Sequence, residues 1–259
     1  MRQPFLPADF TLASSTALIG PYGSGKSEIA LTLACLMARR LQARPDNRVQ
    51  VALGDIDVLK PYFRAREAGE ALKAEGVRLL APGGSLQNAD LPILTPELGG
   101  AARQADTLLI LDVGGDPAGA RALGSLRDEV SAGDHDLWLV LNRHRPFMES
   151  VESVVEQALK IRHASGLELT GIVSNTHMMA ETTLDDVALG LKLAHRVGNA
   201  LDIPVRLIGL GRAIAERIER DNLAASLGIG AHQGIPAIVL DGALRPAFLG
   251  GCALSPGDP

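Results

Sequence analysis

The chain has 259 residues, 46% of them apolar and 21% charged, a balance that supports a buried core and excludes a disordered chain. That length fits one large α/β domain or two small ones. The formal net charge of −5 does not favour non-specific nucleic-acid binding, which needs a basic surface to displace counterions from phosphates.

From the N-terminus, MRQPFLPADF carries two prolines and an aspartate and does not read as a signal peptide, so residues 1–13 are expected to form an N-terminal extension. Strands are expected over 16–19, 49–53, 77–80, 107–112, 137–141, 169–174, 205–208 and 237–240. Helices are expected over 26–41, 61–75, 117–131, 148–165, 183–201 and 212–227. Residues 81–98, with three prolines and adjacent glycines, read as a surface loop, and the Gly/Pro-rich 250–259 as a loose tail. Strand–helix alternation predicts an α/β fold: a mostly parallel sheet with helices on both faces, in one domain over 1–259. The low aromatic content, 3%, implies a core of Leu, Val, Ile and Ala. Cys35 and Cys252 match no metal or redox spacing, which fits a reducing cytoplasm. The longest apolar run, 29–38, is too short to span a bilayer, so no membrane association is expected.

Between the first strand and helix stands Gly20-Pro-Tyr-Gly-Ser-Gly-Lys-Ser27, a match to G-x-x-x-x-G-K-[ST]. Glycines let such a backbone curl until its N–H groups converge on phosphates, so Gly20, Tyr22, Gly23, Ser24 and Gly25 are the expected cradle. The helix behind adds the positive end of its dipole. Lys26 is expected to bridge the β- and γ-phosphates and the Ser27 hydroxyl to ligate Mg²⁺.

A phosphate loop needs an acidic residue at a neighbouring strand end to hold the Mg²⁺ water shell. The apolar run 107–111 ends in Asp112, followed by Val113, Gly114 and Gly115, which makes Asp112 the metal-linked carboxylate and the Gly115 N–H a γ-phosphate sensor. Asp116, before Pro117, is the better helix cap. Asp55 and Asp57 close the second strand in GDIDVLKPYFR, and either suits water positioning or metal binding through water. Arg64 and Arg66 stand nearby.

These residues resemble the MinD/ParA/Mrp and dethiobiotin-synthetase-like group of P-loop NTPases, the SIMIBI class, with its three-layer fold. GDIDV is similar to the switch I segment of MinD-type ATPases, which implies Asp57 as the residue placing the hydrolytic water, and Lys26, Asp57 and Asp112 as the catalytic set. ILDVGGD is similar to the Walker B and switch II segment. LELTGIVSN is similar to the strand whose terminal Asn reads adenine in dethiobiotin synthetases, which implies Asn175 as the base reader; Asn142, in LVLNRHRP, ends the preceding strand in the same way and competes. The chain departs from the group at Pro21, where MinD/ParA loops carry a lysine that reaches into a partner's site, and it lacks the C-x-x-C pair of the Mrp-like scaffolds and a basic C-terminal amphipathic helix.

No lysine stands in an N/T-K-x-D loop, so ATP is expected over GTP, and no LSGGQ signature is present. Gly209-Leu-Gly211 has Ile214 in place of the third dinucleotide-binding glycine and reads as a turn. His144, flanked by Arg143 and Arg145, reads as a solvated cationic loop; His177 and His195 show no ligand spacing. Arg212, Arg217 and Arg220 alternate with Glu216 and Glu219 as on a solvated helix face.

The sequence thus predicts an Mg·ATP-dependent ATPase, binding ATP and ADP, that acts as a switch for a partner protein, with a homodimer among the partner options. Two alternatives stay open: an ATP-dependent ligase or kinase using Arg64, Arg66 or Arg143 to hold a second substrate, and a non-catalytic ATP-binding module.

Overall fold

The computed structural model describes residues 3–56, 66–80, 96–231 and 233–240. Eight strands form one parallel sheet: β1 (Ser15–Ile19), β2 (Gln50–Ile56), β3 (Val77–Leu80), β4 (Thr107–Val113), β5 (His135–Leu141), β6 (Gly171–Ser174), β7 (Val205–Gly211) and β8 (Ala237–Leu240), in the order β3-β2-β4-β1-β5-β6-β7-β8. The connecting helices are α1 (Lys26–Gln42), α2 (Arg66–Ala74), α3 (Pro96–Arg103), α4 (Pro117–Gly124), α5 (Arg127–Val130), α6 (Val151–Ser165), α7 (Leu184–Leu201) and α8 (Arg212–Arg220). Strand order reverses direction at β1, and ligands of open parallel sheets bind at the carboxyl ends of strands around such a switch point. The architecture is the three-layer α/β arrangement of a P-loop nucleotide-binding fold.

Side chains alternate across the central strands and divide the core. Leu18, Val51, Leu53, Ile110 and Val140 pack on the α1 side with Ile29, Leu33 and Met37. Ala17, Ile19, Ala52, Leu109, Leu111 and Leu137 face the other way, onto Leu98, Ala101, Leu123 and Val130 of α3, α4 and α5. The N-terminal residues cover the β8 edge: Val239 N donates to Gln3 Oε1 at 2.7 Å, and Ala237 N to Phe5 O at 3.1 Å. An exposed edge strand invites pairing with another chain, and this cover blocks part of it.

Three helices differ from the expected bounds for identifiable reasons. The stretch expected as one helix over 117–131 breaks into α4 and α5 at Gly124, where a side chain would meet the Ala164 and Ser165 carbonyls at 3.0 Å. The helix from 212 stops at Arg220 and not 227, because Asn222 turns left-handed at φ 54° and Leu223 N reaches back to Ile218 O at 2.9 Å, a Schellman-type ending. α6 starts at Val151, where Ser150 and Ser153 form a reciprocal capping box. Residues 96–98, expected in a loop, open α3. Asp57, Arg64, the expected helix start at 61, residues 81–95 and the tail over 250–259 lie outside the described residues, and so does the Arg66 side chain.

Candidate functional site

β1 delivers the chain to Gly20 at the switch point, and α1 starts at Lys26. Between them Gly23 and Gly25 adopt φ of 74° and 91°, left-handed values that side chains rarely tolerate. α4, α6 and α7 begin on side-chain caps from Asp116, Ser150 and Thr183, whereas α1 begins on Gly25 with no side-chain cap, as α8 does on Gly211 and the short α5 on Leu126. The first-turn N–H groups of α1 are left to a loop ligand, and an anion is the group they favour. Lys26 is buried and its Nζ donates to Pro21 O at 3.3 Å, so the lysine spans the inside of the loop. Ser24 is fully buried, and its backbone N–H donates to Pro21 O at 3.1 Å, closing a turn within the loop. Tyr22 projects outward, 61% exposed.

The two carboxylates lie side by side. Asp55 on β2 is in register with Asp112 on β4, and Leu18 on β1 is in register with Asp112. Asp55 shares its face with Val51 and Leu53, and Asp112 shares the same face with Ile110, so both carboxylates project on the α1 side of the sheet, where Lys26 and Ser27 begin the helix. Both are buried. Two carboxylates held so close out of water require cationic charge. The donor types at this strand edge, two carboxylates and the Ser27 hydroxyl, are hard oxygens, the set for Mg²⁺ shared with substrate phosphates. No group of three or more His, Cys, Asp or Glu gathers as a metal site among the described residues. Gly115 presses directly on the Gly20 carbonyl, and a side chain at 115 would collide with it. Asp116 caps α4, accepting from Gly119 N at 2.6 Å with Pro117 following, as its position implied.

Two side chains from distant loops grip consecutive carbonyls of the phosphate loop. Asn175 Nδ2 donates to Ser24 O at 2.7 Å, and Arg145 Nε donates to Gly23 O at 2.8 Å. The Asn175 amide is seated between Gly25 and Gly209, and a Cβ on either glycine would strike it. Gly209 therefore gives room for Asn175 within β7. Asn142 is differently placed. Its Nδ2 donates to His177 O at 3.2 Å and its Oδ1 accepts from His144 N at 3.1 Å, so both ends of the amide hold the strand-end turn and it is fully buried.

A cavity of about 290 Å³ opens beside Asn175, walled by His177, the 3-10 turn Met179–Glu181 and the β7–α8 junction at Gly211 and Arg212, with Glu28 at its edge. Burial first, then the neighbouring charges of Arg145 and His144, push the His177 imidazole below its ordinary value. His144 Nε2 lies 2.9 Å from Asp186 Oδ1, and hydrogen bonds from Thr183, then from His144, hold the Asp186 carboxyl below its ordinary range. This pair ties the β5–α6 loop to the start of α7.

Sequence reading missed Arg145, Arg212, Glu28 and His177 as site residues. Arg145 sits in what reads as a solvated cationic loop, and Arg212 in what reads as a solvated helix face. Each faces the site only because its strand ends at the carboxyl edge, and no spacing signal marks either. Among the described residues no helix is long and apolar enough to cross a membrane.

The chain matches no protein-family model and no curated protein. Among solved structures it is similar to the cell division protein FtsY of Thermotoga maritima (21% identity over 80% of this chain and 64% of that one, TM-score 0.47). It is also similar to FtsY of Mycoplasma mycoides (20% identity, 79% and 63%, TM-score 0.49). A third is the 54 kDa signal recognition particle protein of Aeropyrum pernix in complex with GDP (19% identity, 82% and 47%, TM-score 0.47). The chain spans less than two thirds of the length of each of these proteins.

Proposed function

We propose that this chain is an Mg²⁺-dependent P-loop ATPase that acts as a nucleotide-dependent switch for a partner protein. The observation that carries the reading is the phosphate loop on an uncapped helix start, with Lys26 inside it and the register-paired Asp55 and Asp112 on the same side of the sheet. Gly20, Gly23, Gly25 and the first turn of α1 would cradle the phosphates through backbone N–H groups, and Lys26 would neutralise charge as the terminal phosphate departs. Ser27, Asp112 and Asp55 would hold Mg²⁺, which when bound draws charge from the β- and γ-phosphates. Asp57 would place the attacking water. Gly115, in contact with Gly20, would register loss of the γ-phosphate and pass it to α4, the two-state element such a switch needs.

Asn175 would read the base from the cavity at Gly211, with its Oδ1 accepting from the exocyclic amine of adenine. Asn142, with both amide ends engaged, would act only on the loop that carries Arg145. A second reading, GTP, is favoured by one observation: Glu28 at the edge of that cavity offers a carboxylate that could accept from the two adjacent N–H groups of guanine.

Phosphate release with ATP and with GTP, compared between the parent and Asp112→Asn, tests the reading. Mg²⁺-dependent turnover of ATP that falls about a hundredfold in the variant supports it. Preference for GTP moves base recognition to Glu28, and turnover indifferent to Asp112 removes the metal assignment.

A further inference from the structure

On the side of the phosphate loop away from Asn175 lies a second cavity, of about 560 Å³, between α4 and α6. Its rim is Tyr22 of the phosphate loop and Gly115; its floor is Ala120, Ile161 and Ala164. Phe147 closes one side, 65% exposed and at φ 66°. A bulky residue in the left-handed region is strained, and such strain persists where the surroundings impose it, commonly at ligand sites. Among the described residues the one cation lining the cavity is Lys160, whose 2.7 Å pair with Glu156 has both side chains more than half exposed, and the one carboxylate is Asp116, which accepts from Gly119 N as the cap of α4. An exposed pair of that kind is worth little and yields readily to another anion.

The volume lies in the range of small-molecule sites, and an apolar wall with few polar groups is their usual composition. The cavity is also joined to the nucleotide loop at two points. Gly115 bears on the Gly20 carbonyl, and Arg145, next to Pro146 and Phe147, holds the Gly23 carbonyl. A change in the loop therefore alters the cavity walls.

We propose that this cavity is a second ligand site, for a small planar apolar anion whose charge is met by Lys160, and that its affinity depends on the third phosphate of the bound nucleotide. The dependence on nucleotide rests on the function proposed above; the site itself does not. The ring of the ligand packs between Tyr22 and Phe147, and its charged end lies toward α6.

8-Anilinonaphthalene-1-sulfonate, an aromatic monoanion, is the probe, titrated by fluorescence into the full chain alone, with Mg·ADP, and with Mg²⁺ and a non-hydrolysable ATP analogue. The expected result is saturable single-site binding that weakens about tenfold in Ala164→Trp and severalfold in Lys160→Gln, and that differs severalfold between the diphosphate and the analogue. The uncharged N-phenyl-1-naphthylamine should bind the parent and Lys160→Gln equally. Should Ala164→Trp fail to fold, Phe147→Gly removes the aromatic wall while suiting the left-handed backbone, and it should also lose the probe. Parent-like binding in Phe147→Gly and Ala164→Trp overturns the site. Probe binding that is competed by self-association of the chain also overturns it, since the face then belongs to a second copy. Binding lost in the variants but indifferent to nucleotide, in a chain that itself binds ATP, overturns the coupling alone. The same loss in a chain that binds no nucleotide leaves the site standing and overturns the function proposed above.

Discussion

The side-chain amide of Asn175, at the end of β6, donates to the backbone carbonyl of Ser24 in the phosphate loop at 2.7 Å, across 151 positions of sequence. The loop is held from within and from outside: Ser24 N donates to Pro21 O at 3.1 Å, and the Ser24 and Gly23 carbonyls accept from Asn175 and Arg145.

Asn175→Ala should leave a buried carbonyl without its donor, at a cost of about 1–3 kcal/mol, and so weaken nucleotide binding by roughly tenfold. Asn175→Asp should do worse, because it sets a carboxylate oxygen against that carbonyl. Calorimetric titration with Mg·ATP of the two variants checks the order; a loss in Asn175→Ala with parent-like binding in Asn175→Asp would mean the amide acts only by filling space.

Arg145 predicts a linked pair of effects. Removing it in Arg145→Ala should loosen Gly23 and weaken nucleotide binding several-fold, with partial recovery in Arg145→Lys. It should also raise the His177 titration toward the ordinary imidazole value, since Arg145 is one of the charges that lowers it. NMR titration of the imidazole resonances reads the second effect independently of activity.

The depressed His177 value carries a pH signature. The folded state binds the proton less readily than the unfolded chain, so the associated stability is full above the ordinary imidazole value and is lost as pH falls from there through the folded value. The thermal midpoint of the parent should therefore drop across this window, and His177→Gln should flatten the drop. An unchanged slope in the variant would place the acid sensitivity elsewhere.

Gly115→Ala should separate binding from turnover. The added methyl would collide with the Gly20 carbonyl and displace the switch-like segment from the loop. Mg·ADP affinity should stay near that of the parent, while phosphate release falls by about a hundredfold. Parallel losses in both would indicate a general distortion of the phosphate loop.

Much of this arrangement is legible in the sequence because it is local. The glycine spacing before Lys26, the apolar run ending in Asp112 and the Asp116–Pro117 cap each declare themselves within a few residues. Strand alternation places Asp55 and Asp112 on one face as soon as the two strands are paired in register. What is not legible depends on neighbours across the sheet. Arg145 reaches Gly23, Gly209 makes room for Asn175 and Phe147 walls the second cavity only through the order of β5, β6 and β7 beside β1. Helix ends differ from the expected bounds for a similar reason: Gly124 breaks the helix expected over 117–131 because α6 comes close, and a left-handed Asn222 ends α8 inside an apolar pattern that continues to 227.

The most direct test of the central claim is the thermal shift produced by Mg·ATP in the parent and in Lys26→Ala, measured at matched nucleotide excess. The parent should gain stability of about 2.7 kcal/mol at a hundredfold excess over Kd, and the variant should lose most of it. An undiminished shift in Lys26→Ala would contradict the assignment of 20–27 as the phosphate-binding loop.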